Sequence, residues 1–270
     1  MSPKIVYAVT SSGKDIYSVM TRISVATVRL SCPGSWVVLT CDEGSARAME
    51  QTQDPLLKEV DEVIVVPTPE GDATYRNRHI KTRVRTLVAG EFLFMDSDTI
   101  VRGDLSTLAG IHGDIAAAPN HSADSLDGQI WDEDRAHLDT MDWTFGNTYF
   151  NGGFIFFRDT VAARALGSEW HDRWMAGFRK TGRANDQPAF NAAIAALDIR
   201  VEKLPHRYNA QFTMNRSSAS EALVWHYYST DTTLRFTAIG ALIKNVMENG
   251  AIPNNKLIGV IRSTEPWKVA

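Results

Sequence analysis

Two carboxylates, Asp96 and Asp98, follow the apolar run 92–95 in the stretch Phe92-Leu93-Phe94-Met95-Asp96-Ser97-Asp98-Thr99-Ile100-Val101. In an extended chain a spacing of two turns both side chains to one face, where their oxygens can converge on one hard cation. Like charges that close repel, and a divalent ion relieves the repulsion. A polar turn closing a strand would use the same residue types, so the pattern gains its meaning from the buried strand that precedes it.

Other groups have chemistry to offer. Asn151-Gly152-Gly153 precedes the apolar run 154–157; two glycines let backbone approach a ligand, and an Asn amide both donates and accepts. A turn or bulge would look the same. Asp186, just ahead of Pro188, is placed to cap a helix through the free amides of its first turn. A helix predicted over residues 75–89 puts Arg78, Lys81 and Arg85 opposite Ile80, Val84 and Leu87. Such a cationic stripe is more often a solvated face than a diphosphate site. His226 lies within the apolar stretch 223–227, where a lone His reads first as a satisfied core residue. Gly13-Lys14 lacks P-loop spacing, which argues against an ordinary NTPase.

The elements that must position these groups alternate along the first part of the chain. Strands are predicted at Ile5–Val9, 36–40, 63–66 and Phe92–Met95, with helices carrying Ile16, Val19, Met20, Ile23 and Ala26, and Ile80, Val84, Leu87 and Val88, between them. Short buried strands separated by helices imply an α/β fold with a mostly parallel sheet covered on both faces. Ligands of such sheets gather at the carboxyl ends of the strands, which aligns Thr10, Cys41-Asp42 and Asp96 to Asp98 along one edge. The second part is less regular. Strands are expected at 116–118, 154–157 and 223–227, and a helix burying Leu166, Trp170, Trp174 and Phe178. Further helices begin near Pro188 and run from Phe236 through Met247 to Asn249-Gly250. Residues 122–144, acidic and containing Trp131 and Trp143, show no sustained period and read as a long loop with at most a short helix.

With 270 residues, 44% of them hydrophobic, and no linker-like stretch, the whole chain, 1–270, reads as one domain. A net charge of −4 argues against a nucleic-acid partner. No apolar run approaches membrane-spanning length, so no integral membrane segment is expected. Two cysteines, Cys32 and Cys41, lack metal spacing, and a cytoplasmic location is the default expectation.

Taken together, Asp96-Ser97-Asp98-Thr99, Phe150-Asn151-Gly152-Gly153, Asn185-Asp186-Gln187-Pro188, Leu204-Pro205-His206-Arg207-Tyr208-Asn209 and Val224-Trp225-His226-Tyr227 resemble, in order, the motifs of the glycogenin-like family 8 glycosyltransferases. That resemblance implies a GT-A fold and transfer of a hexose from a nucleotide-diphosphate sugar, UDP first among them, to an unspecified acceptor, with retention of configuration. It implies His226 as third ligand beside Asp96 and Asp98, a mixed carboxylate and imidazole set suited to Mn²⁺, with Mg²⁺ possible. It makes 1–101 the nucleotide-binding half and 102–270 the donor-sugar and acceptor half, and places Thr10, Tyr17, Arg78, Lys81, Ser97, Asn151, Gly152 and Gly153 at the donor, with Asp186 and Gln187 by the reacting sugar. The family's Lys-Pro-Trp after the ligand His is missing; Ser229-Thr230-Asp231-Thr232 follows instead, and Pro266-Trp267-Lys268 is a distant echo, leaving Lys268 or Arg235 as stand-ins for its Lys. Two competing readings are a haloacid-dehalogenase-like phosphatase with Asp96 as nucleophile and a nucleotide-sugar binder without catalysis. The first normally carries its Asp-x-Asp after the first strand, not the fourth.

Overall fold

The computed structural model describes residues 3–227 and 237–267. Seven strands form one sheet in the order β3-β2-β1-β4-β7-β6-β8: β1 (Ile5–Val9), β2 (Val37–Asp42), β3 (Glu62–Val66), β4 (Phe92–Met95), β6 (Ile115–Pro119), β7 (Phe150–Phe157) and β8 (Val201–Lys203). A separate ribbon pairs β5 (Thr99–Val101) antiparallel with β9 (Val224–His226). Every residue of β1, β2, β4 and β7 is buried, as continuous apolar runs require when both faces are covered.

The sheet has two cores, divided by strand alternation. Tyr7, Leu39, Leu93, Met95 and Phe154 face one side, against Val25 and Val28 of the helix Ile16–Ser31. Val6, Val38, Phe92, Phe94 and Ile155 face the other, against Trp170 and Trp174 of the helix Val161–Thr181. Asp96 continues the parity of Phe94, which turns it toward that second side and the helix Ala73–Lys81.

One strand runs against the rest. β4 and β6 both pair antiparallel with β7, while the other pairs in the sheet are parallel. Reversal carries the amino end of β7 to the carboxyl edge of β4, and the register Met95↔Phe154 sets Gly153 beside Asp96. The Asp96 N–H then donates to the Gly153 carbonyl at 2.8 Å.

Four sequence expectations need correction. The strand preceding residue 154 begins at Phe150, so Asn151-Gly152-Gly153 is strand rather than turn. The helix expected over 75–89 is two helices, Ala73–Lys81 and Val84–Leu87. Its cationic stripe points inward: Lys81 and Arg85 are buried, and Arg85 donates to the Val88 and Gly90 carbonyls above the Phe92 ring. Residues 122–144 hold the helices Leu126–Gln129 and Asp132–Met141; the second starts with Asp132, Glu133 and Asp134, acids favoured at a helix amino end. So few of its side chains are buried that no apolar period shows. Trp143 is pinned between His137 and Arg173, whereas Trp131 stacks on His121 and stays half exposed.

The late helix runs Ala238–Asn249 and ends on Gly250 in the left-handed region; Phe236 lies outside the described residues. Arg235, Lys268 and residues 229–232 also lie outside them. Trp267 packs on Phe212 and Arg216, next to Trp225, whose side chain alternates with His226. Both cysteines are free and buried. Among the described residues no helix is long and apolar enough to cross a membrane.

Candidate active site

A cleft at the carboxyl ends of β1 and β4 is lined by Thr10, Tyr17, Asn77, Arg78, Asp96, Ser97 and Asp98 among others. Thr10 donates to the Ala73 carbonyl at 2.9 Å, fastening the cleft edge to the helix Ala73–Lys81. Asn77 of that helix reaches back to the Ala8 carbonyl at 3.0 Å. Tyr17, in the first turn of the helix Ile16–Ser31, is half exposed beside the opening. Thr21 Oγ1 lies 2.8 Å from Ser97 Oγ, holding the residue between the two acids.

Asp96, Asp98 and His226 each offer a ligand atom, and these atoms all lie within 4.8 Å of one another. Asp96 ends β4; Asp98 precedes β5, and pairing of Thr99 with His226 brings the imidazole to the acids. His226 Nε2 is 3.3 Å from Asp98 Oδ1. Burial opposes charge on this imidazole, yet Asp98 and then Asp96 hold its pKa above the ordinary value. Gly153 leaves the space this triad needs: a Cβ there would sit 2.5 Å from Asp96 Oδ2 and 2.5 Å from His226 Cε1. Two carboxylates and an imidazole around such a gap form a donor set with the chemistry to hold a divalent metal ion.

A second acid stands beside this triad. Lys81 Nζ, buried, is 2.9 Å from Asp96 Oδ2 and 3.5 Å from Asp186 Oδ2. Arg78 Nε is 2.9 Å from Asp186 Oδ1. Burial works against the Arg78 charge, but Asp186, Asp96 and Asp98 raise its pKa. Asp186 does occupy the position before the helix Gln187–Ala196, but its side chain makes no capping bond there. The two cations draw the carboxylate away from the amides, so the expected cap is replaced by an ion cluster. Its backbone is fixed by Trp170, whose indole donates to the Asp186 carbonyl at 3.0 Å. Gln187 Oε1 accepts from the Gly152 N–H at 3.1 Å and from Asn151 Nδ2 at 3.2 Å.

Thus the structure gathers Asp96, Asp98, His226, Lys81, Arg78, Asp186, Gln187 and residues 151–153 into one contiguous cluster, of which Arg78, Asp96 and Asp98 line the cleft. Sequence reading passed over Asn77, Asn120, Thr21 and Asn209. Asn209 closes the Leu-Pro-x-x-Tyr-Asn run, a signal in plain view; Asn120 and Thr21 have none, being polar residues in ordinary surroundings. Asn151 is buried, and its amide meets Gly153, Asn209, Asn120 and Gln187.

The Glycosyl transferase family 8 pattern matches residues 76–231, more than half of the chain and the whole span from Arg78 to His226. The chain belongs to glycosyl transferase family 8. No curated protein matches it. Among solved structures, the galactosyltransferase LgtC in complex with donor and acceptor sugar analogs is similar, with TM-score 0.59 and 14% identity over 93% of this chain and 98% of that one. The apo bifunctional glycosyltransferase WbbM gives 0.57 and 15% over 99% of this chain and 50% of that one. The glycosyltransferase GlyE of Streptococcus pneumoniae TIGR4 gives 0.53 and 18% over 85% and 56%. This family 8 chain therefore spans about half the length of WbbM and GlyE. At such identities the likeness bears on fold, and the fold is GT-A. Membership in family 8, rather than the geometry of Asp96, decides against the phosphatase reading, since a Lys beside a carboxylate would serve either chemistry.

Proposed function

We propose that this family 8 chain transfers a hexose from a nucleotide-diphosphate sugar, UDP-hexose first, to an acceptor, with retention of configuration. In this reading Asp96, Asp98 and His226 hold Mn²⁺ or Mg²⁺. The observation that carries it is the convergence of those three ligand atoms within 4.8 Å beside the cleft at the carboxyl ends of β1 and β4. A divalent cation held by these three residues would supply positive charge against the departing diphosphate.

The chain's own residues would do the rest. Thr10 and Tyr17 face the nucleoside, and Ser97, fixed by Thr21, supplies a hydroxyl between the ligands. Lys81 and Arg78 bring two positive charges to the side of the site where the diphosphate would lie, a fixed electrostatic environment for the leaving group. Asp186, kept by those cations, accepts from a donor-sugar hydroxyl. Gln187, its amide oxygen held by the Gly152 N–H and by Asn151 Nδ2, stands with that strand beside the reacting region. Gly152 presents bare backbone beside the Asp186 carboxylate, where the sugar would lie.

UDP release from a panel of UDP-hexoses tests this reading. We expect release with Mn²⁺ and its suppression by EDTA. Equal release in EDTA would contradict the metal assignment, and bound but untransformed donor would favour a binding protein.

A further inference from the structure

We propose that Asn209 is a positioning residue that fixes the tautomer of His226, through a relay of buried amides whose polarity is set by backbone groups. The proposal rests on His226 being a metal ligand.

Amide oxygens and nitrogens can be told apart wherever they meet a group that only donates or only accepts. The Gly153 N–H donates to the Asn151 side chain at 2.9 Å, so that atom is Oδ1. The Gly152 N–H donates to Gln187 at 3.1 Å, so that atom is Oε1, and Asn151 must face it with Nδ2 at 3.2 Å. The Gln129 carbonyl accepts from Asn120 at 2.7 Å, so Asn120 turns its Oδ1 to Asn151 Nδ2 at 3.0 Å. Three independent anchors give Asn151 the same orientation.

From there the relay has one solution. Asn151 Oδ1 faces Asn209, so Asn209 donates through Nδ2 at 2.9 Å. Its Oδ1 is left facing His226 Nδ1 at 3.0 Å. An amide oxygen only accepts; Nδ1 therefore carries the proton, and Nε2 is the nitrogen whose lone pair serves a cation beside Asp98 and Asp96. Flipping Asn209 would set its oxygen against Asn151 Oδ1, so its orientation is fixed before the imidazole is considered. Asn209, Asn151 and His226 are buried, so bulk water cannot mend such a mismatch. Hydrogen bonding of the remote nitrogen is how metal-bound imidazoles are commonly oriented. Here the oriented group reaches back to Gly152 and Gly153, so the strand that shapes the site also sets the polarity of its ligand.

The test joins histidine ¹⁵N NMR of the metal-free protein, with His226 assigned from His226→Gln, to Mn²⁺ titration by electron paramagnetic resonance. Wild type, Asn209→Leu and Asn209→Asp are compared after thermal unfolding has verified their folds. We expect a slowly exchanging proton on His226 Nδ1 in wild type. Asn209→Leu should lose that protection and weaken Mn²⁺ binding about 10- to 100-fold. Asn209→Asp, which keeps an acceptor toward Nδ1 but sets a carboxylate oxygen against Asn151 Oδ1, should keep the protected Nδ1 proton while melting below wild type, and loss of that proton would overturn the proposal. A bare Nδ1 in wild type overturns the proposal even if Asn209→Leu fails to fold. Wild-type Mn²⁺ binding unaffected in Asn209→Leu sinks this proposal alone, whereas a wild type that binds no Mn²⁺ sinks the metal reading with it.

Discussion

Lys81 places its ammonium 2.9 Å from Asp96 Oδ2, inside the second core side of the sheet, and the same nitrogen is 3.5 Å from Asp186. One buried cation thus ties a proposed metal ligand to a proposed catalytic acid. Removing it should leave Asp96 and Asp186 without their shared cation, with Arg78 paired directly to Asp186. Lys81→Met is expected to cost about 2 kcal/mol in urea unfolding, a value for a broken buried pair with one partner still compensated, and to cut UDP release sharply. Unchanged stability would mean that the ammonium is solvated rather than clustered.

Neighbouring glycines offer an internal control. A Cβ on Gly153 would press Asp96 Oδ2 and His226 Cε1 at 2.5 Å each, whereas one on Gly152 would meet Asp186 Oδ2 at 3.6 Å and Trp170 at 3.9 Å. Gly153→Ala should therefore weaken Mn²⁺ binding at least tenfold, about 1.4 kcal/mol, by pushing the ligands apart. Gly152→Ala should leave Mn²⁺ binding within about twofold, since ordinary contacts demand no shift. Isothermal titration on both variants checks the pair, and equal losses would contradict the geometry.

Much of this arrangement could be read from the chain. The apolar run before Asp96 and Asp98, and the matching of five segments in order, marked the sheet edge and most of the cleft. What escaped reading depends on contacts across the chain. Asp186 looks like a cap because Pro188 follows it, but the Arg78 and Lys81 charges outcompete helix amides for its carboxylate. The stripe of Arg78, Lys81 and Arg85 looks solvated because charge usually is, and only the carboxylates and carbonyls of other elements make its burial affordable. Asn151 reads as a turn residue until β7 is seen to run antiparallel to β4, which converts a local Asn-Gly-Gly into the floor of a site.

Acid sensitivity should have a source outside the lining of the cleft. His171, bonded at Nδ1 to Thr82 Oγ1 at 2.8 Å and edge-on to His79, has its pKa pushed down to about 4 by burial, then by His79 and Arg83. Burial lowers His79, His121 and His137 as well. Because the unfolded chain takes up protons that the fold refuses, this stability is complete above the ordinary value of 6.5 and falls as pH drops toward 4. His226 acts in the opposite sense, its raised pKa giving a contribution that is lost as pH rises through its folded value. Melting temperature is expected to fall between pH 7 and 5, less steeply in His171→Gln. An identical slope in that variant would place the sensitivity elsewhere.

The most direct test of the central claim is calorimetric titration of UDP into wild type and Asp98→Ala, each with and without Mn²⁺. The account predicts UDP binding that needs both the cation and Asp98, with Asp98→Ala retaining the wild-type fold by circular dichroism. UDP binding of equal strength without Mn²⁺, or undiminished in Asp98→Ala, would contradict it.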